Sequence, residues 1–498
     1  MHRWGLVLFA GCVGILGDVP IAALAAGEPE MSSVAKVVEH DASLFRPDPT
    51  YEKVTYDSKR QLDIYGAKHA NPTARPALEL GRELYTSGPF RKGINLVGKK
   101  NLLFPHGYVY GDYRAAIAFN DNGAKEQWTI ANRLNLDMDL GLTATEHVHA
   151  FMRPLDKNGN FTRFDFGGEI DDHEDLEIQL DGNLDALFFE GDMGAILTGV
   201  SDHHMPFDLP FAVGLMPLLF QNGIWVEDAF TGLAFTIPAQ NSPFLDISNM
   251  DTTFFVGLDR VTTPAVLNAD NTLNDDTTDL YGVTSFIEAN QGYWEIGYGY
   301  VDPEDPLDDQ SYHNMTAAFT RRYRGILSNS LRMIWNTGQD RDTNAAQTAD
   351  GFLFLIENSL VTSKAYQLVP YLNMFLGVDR PQSLARDAGA GGVLKNTGIL
   401  FETDGLTGFP KLDDTAQDTL GAAMGLEYLF NLDRQIVLET AVVKDVGVNK
   451  LKGDQYAIGF RFQQPLTNAW ILRSDLIYAL LESTDDLFGV RLELRRKF

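Results

Sequence analysis

The end of the chain, residues 487–498, constrains the fold more than any other stretch. Read at period two, Phe488, Val490, Leu492, Leu494 and Phe498 share one face with a single charged residue, Arg496, while Arg491, Glu493, Arg495 and Lys497 share the other. Such a strand needs hydrocarbon on one side and water on the other. A half-buried sheet in a soluble protein or the wall of a water-filled barrel in lipid satisfies both demands.

The rest of the chain favours the barrel. From residue 107 onward, half-apolar strands recur in a steady rhythm. Those running one way are expected near 107–119, 145–155, 209–219, 251–261, 292–302, 326–337, 366–378, 434–445 and 468–482. Those running back are expected near 126–138, 185–198, 229–237, 279–289, 311–323, 350–362, 417–430, 454–465 and 487–498. Spans of about 11–13 residues suit a tilted membrane crossing and exceed the usual 5–6 or so of globular sheets. Links at 290–291, 324–325, 363–365, 431–433 and 466–467 are short, whereas 303–310, 338–349, 379–416 and 446–453 are longer and polar. That alternation is the pattern of periplasmic turns and outer loops. Aromatic residues gather at strand ends, with Tyr323, Tyr428, Phe430, Phe462, Trp470 and Phe498 at one level and Tyr300, Trp335 and Phe488 at the other, as interfacial girdles do. Unpaired backbone groups are costly in lipid, so only a closed sheet is viable there. The fold expected is all-β: a single transmembrane antiparallel barrel of about 18 strands (range roughly 16–20) over 107–498. Residues 156–184 are ambiguous, since 161–166 and 176–180 form either an added hairpin or a ribbon in a loop.

Residues 1–25 read as a secretory signal peptide: a basic start at Arg3, an apolar run over 6–16, and a small-x-small cleavage site at Ala23-Leu24-Ala25. The chain's one cysteine, Cys12, lies within it, in a poor lipobox, so the mature chain has no disulfide, thiolate metal site or attached haem. Residues 26–106 lack the strand rhythm. They read as a periplasmic extension, a pore strap or a docking segment for a periplasmic partner, with a short helix expected over 76–85. A formal net charge of −28 argues against nucleic acid. The acidic bunches near 169–175, 270–279, 302–309 and 413–414 read as solvated loops, open to Ca²⁺ or Mg²⁺ shared with lipopolysaccharide.

On this register Arg114, Arg133, Arg153, Arg322, Arg324, Arg332, Arg461, Arg473, Arg491 and Arg495 project inward. Interleaved with them are Asp112, Asp137, Glu295, Glu357, Glu427, Glu439, Asp475 and Glu493. Buried charges on this scale need pairing or water, so the interior is expected to be a hydrated pore. Residues 322, 324 and 332, around the turn at Gly325, and 473, 491 and 495 on the last hairpin are the candidate anion contacts, because guanidinium matches carboxylate and phosphate. Each is equally readable as a wall salt bridge.

The terminal strand ending in Phe498 resembles that of bacterial outer-membrane barrels, in which the final Phe is part of the signal read by the assembly machinery. The signal peptide, the strand count, the inward arginines and the layout Val213-Gly214-Leu215-Met216, Asn222-Gly223-Ile224-Trp225 and Asp228-Ala229-Phe230-Thr231-Gly232 together resemble the alginate-export type of outer-membrane porin. Leu215 departs from that pattern, standing where the family often has a basic residue. The resemblance implies an outer-membrane channel passing a polar, anionic or carbohydrate-like solute. The alternative is a barrel that sheathes a periplasmic partner such as an electron-transfer protein.

Other constellations carry less. Asp156-Lys157-Asn158-Gly159-Asn160 begins like a Ca²⁺ loop, but Phe161 stands where Gly is required and Gly167 where Glu is required. His147 and His149 share a strand face and His203–His204 sits in a turn, and neither pair has a third ligand legible nearby, so no metal site is expected. Residues 388–392 are glycine-rich without a phosphate-loop Lys, and are read as flexible and folding into the pore mouth. Gly297 and Gly299 read as small pore-facing positions. Asp171-Asp172-His173 is the one place to look for a hydrolase. No catalytic residue and no cofactor are expected.

Overall fold

A computed structural model describes residues 74–498, apart from 85–91, 97, 124, 158, 168–174, 275–276, 342–345, 364–366, 403–404, 431–433 and 448–452. The signal peptide, most of the extension, and Asp171, Asp172 and His173 lie outside the described residues.

Eighteen antiparallel strands close into a barrel. They are β1 His106–Asp121, β2 Glu126–Gly141, β3 His147–Met152, β4 Ala186–Asp192, β5 Pro210–Phe220, β6 Val226–Ser242, β7 Ile247–Asp259, β8 Thr278–Ala289 and β9 Gly292–Pro303. There follow β10 Tyr312–Tyr323, β11 Leu327–Thr337, β12 Phe352–Leu360, β13 Leu368–Val378, β14 Thr419–Phe430, β15 Arg434–Asp445, β16 Gln455–Pro465, β17 Trp470–Leu481 and β18 Leu487–Lys497. Closure comes from β18 pairing with β1, from Asp112↔Lys497 to Asp121↔Phe488, and it extends through reciprocal backbone hydrogen bonds between Phe498 and Gly111. The rim where the chain ends carries tight links such as 290–291. The opposite, loop rim carries most of the long ones, and the 193–209 link is a long one at the terminal rim.

The alternation read from sequence holds around the wall. Ile296, Tyr298, Met333, Leu438, Ile458, Leu476, Val490 and Leu492 stand exposed on the outer face, as a lipid-facing belt requires. Arg496 lies in this belt at the terminal rim with its guanidinium 5.7 Å from the centre of the Trp470 ring. Its aliphatic stem can therefore follow the apolar surface to the interface.

Two local expectations are corrected and one open choice is resolved. The strand expected over 185–198 ends at Asp192, and Met193–Ser201 is a helix, α1. Short apolar runs do not distinguish strand from helix. Here the cap decides, because Asp192 Oδ1 accepts from the amide of Ala195 at 2.8 Å. The helix expected over 76–85 is instead a strand at Leu78–Leu80, recruited by the edge of β1 that overhangs the chain end, with Leu80 facing Gly107. In the ambiguous region, Asn160–Phe166 pairs with the upper half of β2 and with Asp175–Glu177, a ribbon that prolongs the wall above β3 and β4. The barrel count stays at eighteen.

The core lies inside the barrel. The link between β13 and β14 turns inward, and Leu384, Leu394, Leu400, Phe401 and Leu412 are buried with Trp225, Phe230, Phe255 and Ile477. Ala385–Arg386 pairs in parallel with Val226–Glu227. Two small pore-facing residues make room for this packing. A Cβ at Gly297 would lie 2.5 Å from the Trp225 ring, and one at Gly299 would lie 2.3 Å from Leu384.

Candidate functional site: the lumen

The inward segment is tied to the wall around much of its circumference. Asn314 Nδ2 and Asn336 Nδ2 donate to the carbonyl of Gln382 at 3.0 and 3.2 Å, Asn373 Nδ2 donates to that of Thr397 at 2.6 Å, and Trp225 Nε1 of the β5–β6 tip donates to Asn314 at 2.9 Å. Glu439 accepts from the amides of Ile399 and Leu400 at 3.0 and 2.9 Å, and Asn120 donates to the carbonyl of Thr407 at 2.6 Å. Arg386, 2% exposed, donates to the Ser383 hydroxyl and to carbonyls of the β5–β6 tip, and faces Glu227 at 3.4 Å. The glycine-rich run at 388–392 is thus part of a packed plug. Its course is inward, as expected, with Ala390 buried and 388–389 exposed.

Most of the arginines expected to line the pore are paired. Arg114 meets Glu493 at 2.6 Å across the closing seam, and Arg495 meets Glu493 at 3.3 Å and Asp112 at 3.6 Å. Arg461, Arg473 and Arg491 converge on Asp475 at 2.7, 2.8 and 2.7 Å, and Glu402 of the plug adds contacts to Arg461 at 2.6 Å and Arg473 at 3.3 Å. Phe409 covers this nest, its ring centre 5.0 Å from the Arg491 guanidinium. The group 473, 491 and 495 is therefore split between two acidic clusters, Asp475 with Glu402 and Glu493 with Asp112, rather than offered together to an anion.

The other expected trio also separates. Arg332 is 2% exposed and faces Glu357 at 3.3 Å, Glu295 at 3.9 Å and the Gln221 carbonyl oxygen at 2.8 Å. It sits opposite Ala318, whereas Arg322 sits opposite Ser328, four residues or roughly 13 Å along the strand. Arg322 is exposed at the rim, and Arg324, in the turn at φ 52°, points into open solvent rather than lining the pore.

What remains open is a chamber of about 650 Å³ between the plug and the wall of the first strands. Tyr110, Phe151, Phe161 and Phe188 supply apolar surface, and acidic residues (Asp137, Asp185, Glu227, Asp228, Asp387) outnumber basic ones (Arg133, Arg153, Lys395). Arg153 meets Asp185 at 2.9 Å and Asp156 at 3.3 Å, and Lys395 pairs with Glu227. Arg133 has no carboxylate in salt-bridge range among the described residues. It donates to Asn135 and lies over the Phe161 ring at 5.2 Å. Lys395 also lines a second cavity of about 320 Å³ beside Glu402 and Glu427, so the plug divides the lumen. The sequence reading missed Lys395, Glu227, Asp387 and Glu402, because three of them lie on the inward segment and nothing in a polar loop marks its direction.

No family model matches the chain, and no curated protein matches it. Solved structures do. Pseudomonas aeruginosa OccK7 (OpdD) superposes with TM-score 0.50 at 10% identity, covering 79% of this chain and 98% of that one. P. aeruginosa OpdK, solved with vanillate, gives TM-score 0.50 at 12% identity with the same coverage. These neighbours are outer-membrane porins, and at such identity the likeness is one of fold: the chain is an eighteen-stranded antiparallel β-barrel of the kind they form. None of them speaks for the alginate-export family in particular.

Proposed function

We propose that this barrel is an outer-membrane channel for small polar solutes, and that the chamber beside Arg133 selects them. The observation that carries the reading is the plug. A lumen narrowed by a wall-anchored inward segment to a chamber with charged and aromatic lining has the size and chemistry of a small-molecule site. Arg133, free of a carboxylate and set among Tyr110, Phe151, Phe161 and Phe188, suits a solute that joins an anionic group to an apolar or aromatic body. Vanillate, found with the fold neighbour OpdK, has that chemistry and is a convenient probe. A polyuronate, the substrate implied by the alginate-export resemblance, is not favoured where acids outnumber bases. With the lumen filled by the chain's own plug, the reading as a sheath for a partner protein has no support.

Planar bilayers test the proposal. The protein should give stepwise conductance that vanillate blocks. Arg133→Gln should weaken that block about tenfold, the worth of one charge-assisted contact, and Arg133→Glu should shift the reversal potential toward cations. A folded barrel without steps, or block unaltered in both variants, refutes the assignment.

A further inference from the structure

On the lumen side of the terminal rim, three neighbouring strands bring together a group that has no part in the channel reading. Asp139 on β2 stands directly opposite His149 on β3, His147 lies two residues earlier on the same face, and Glu190 on β4 stands opposite His147. We infer that Asp139, His147 and His149 form a binding site for a divalent transition-metal ion, with Glu190 orienting His149 from behind.

Asp139 and His147 share a hydrogen bond, and the three residues also leave the spacing that an ion requires. One ligand atom from each of the three residues can be chosen so that all lie within 4.8 Å of one another. Asp139 Oδ1 is 2.9 Å from His147 Nδ1 and 3.7 Å from His149 Nδ1. A tetrahedral ion with bonds of about 2.0–2.1 Å separates its ligands by roughly 3.3 Å, between those two values. His149 Nε2 donates to Glu190 Oε1 at 3.0 Å. A carboxylate only accepts, so the neutral ring carries its proton on Nε2 and turns a bare Nδ1 lone pair toward the Asp139 oxygen. Two acceptors facing each other call for a cation between them.

The surroundings complete the arrangement. A carboxylate holding the far nitrogen of a ligating histidine fixes its tautomer and raises its basicity, and Phe188 packs on the His149 ring at 4.9 Å. The ligand side chains are 18–26% exposed, and His149 lines the chamber, so an ion reaches the site from the lumen. Two imidazoles and one carboxylate suit Zn²⁺, Cu²⁺, Ni²⁺ or Fe²⁺ rather than Ca²⁺ or Mg²⁺, which take oxygen ligands.

The test uses the full-length protein without an affinity tag, folded in detergent, titrated calorimetrically with Zn²⁺ and followed by visible absorption with Co²⁺. One ion per chain and a Co²⁺ band from nitrogen–oxygen ligation are expected. His147→Gln, His149→Gln and Asp139→Asn should each weaken Zn²⁺ by more than about tenfold while the barrel keeps its heat-modifiable gel mobility. Glu190→Leu should weaken it about tenfold, the usual worth of such a partner, and Glu190→Gln, which keeps an acceptor, should restore it. The His203→Ala/His204→Ala variant should bind as the parent does. Absence of Zn²⁺ heat and of a Co²⁺ band overturns the inference. So does binding that survives the His147→Gln/His149→Gln double variant or that disappears with His203 and His204.

Discussion

Excising residues 381–416 and joining the strands by a short Gly-Ser turn should raise single-channel conductance severalfold and abolish block by vanillate. The wall is ready for this change, because the Asp379 amide donates to Asp418 Oδ1 at 2.9 Å and the Asp418 amide donates to the Asp379 carbonyl at 3.1 Å. Leu376 pairs directly with Leu420 below them, so the ladder survives without the segment. What is lost is the packing of Leu384, Leu394, Leu400 and Phe401 against the inner wall. An eighteen-stranded barrel without it leaves an aqueous channel. Trp225→Ala, which loosens the β5–β6 tip from Asn314, should raise conductance less and in the same direction. Unchanged conductance in a folded deletion variant would mean that the plug does not set the pore.

Asp475→Asn should destabilise the barrel by about 3–5 kcal/mol, the cost of breaking a buried ion pair from one side. Asp475 and Arg491 are each 3% exposed, and Arg461, Arg473 and Arg491 all converge on that one carboxylate. The substitution leaves Arg461 and Arg473 to share Glu402, which itself rides on the plug, and takes from Arg491 the carboxylate it meets at 2.7 Å. Arg491→Gln in the same chain should recover part of the loss by removing one of the stranded charges. Asp308→Asn on an exposed loop should stay within about 0.5 kcal/mol of the parent. Reversible unfolding in urea with lipid vesicles measures all four. Equal stability of Asp475→Asn and the parent would mean that water, rather than the carboxylate, solvates the nest.

Much of the wall was legible because its physics is local. A residue's face depends on its parity along one strand, so Arg491, Glu493 and Asp475 could be sent inward and Val490 and Leu492 outward without knowing any partner. Where neighbouring elements compete, local reading failed. The run after Asp192 alternates well enough for a strand, yet its capped amides make it helix α1, and residues 78–80 take strand geometry because β1 leaves an edge open. His147 and His149 were visible as a pair on one strand. Their third and fourth companions, Asp139 and Glu190, were not visible as companions, because strand pairing across β2, β3 and β4 supplies them.

The closing stretch 487–498 marks the division. By itself it determined a strand with one apolar and one charged face, which demands two solvents, and the repetition of that pattern along the chain pointed to a closed wall in lipid with charge inside. Only the tertiary structure decided what the charges do. Arg491 is spent on Asp475 under Phe409, Arg495 joins Glu493 and Asp112, and Arg133, one hairpin away, faces the chamber with no carboxylate in salt-bridge range among the described residues. The physical reason is that a side chain's face is a property of one strand, whereas its pairing depends on register across strands and on a plug contributed by residues far away in sequence.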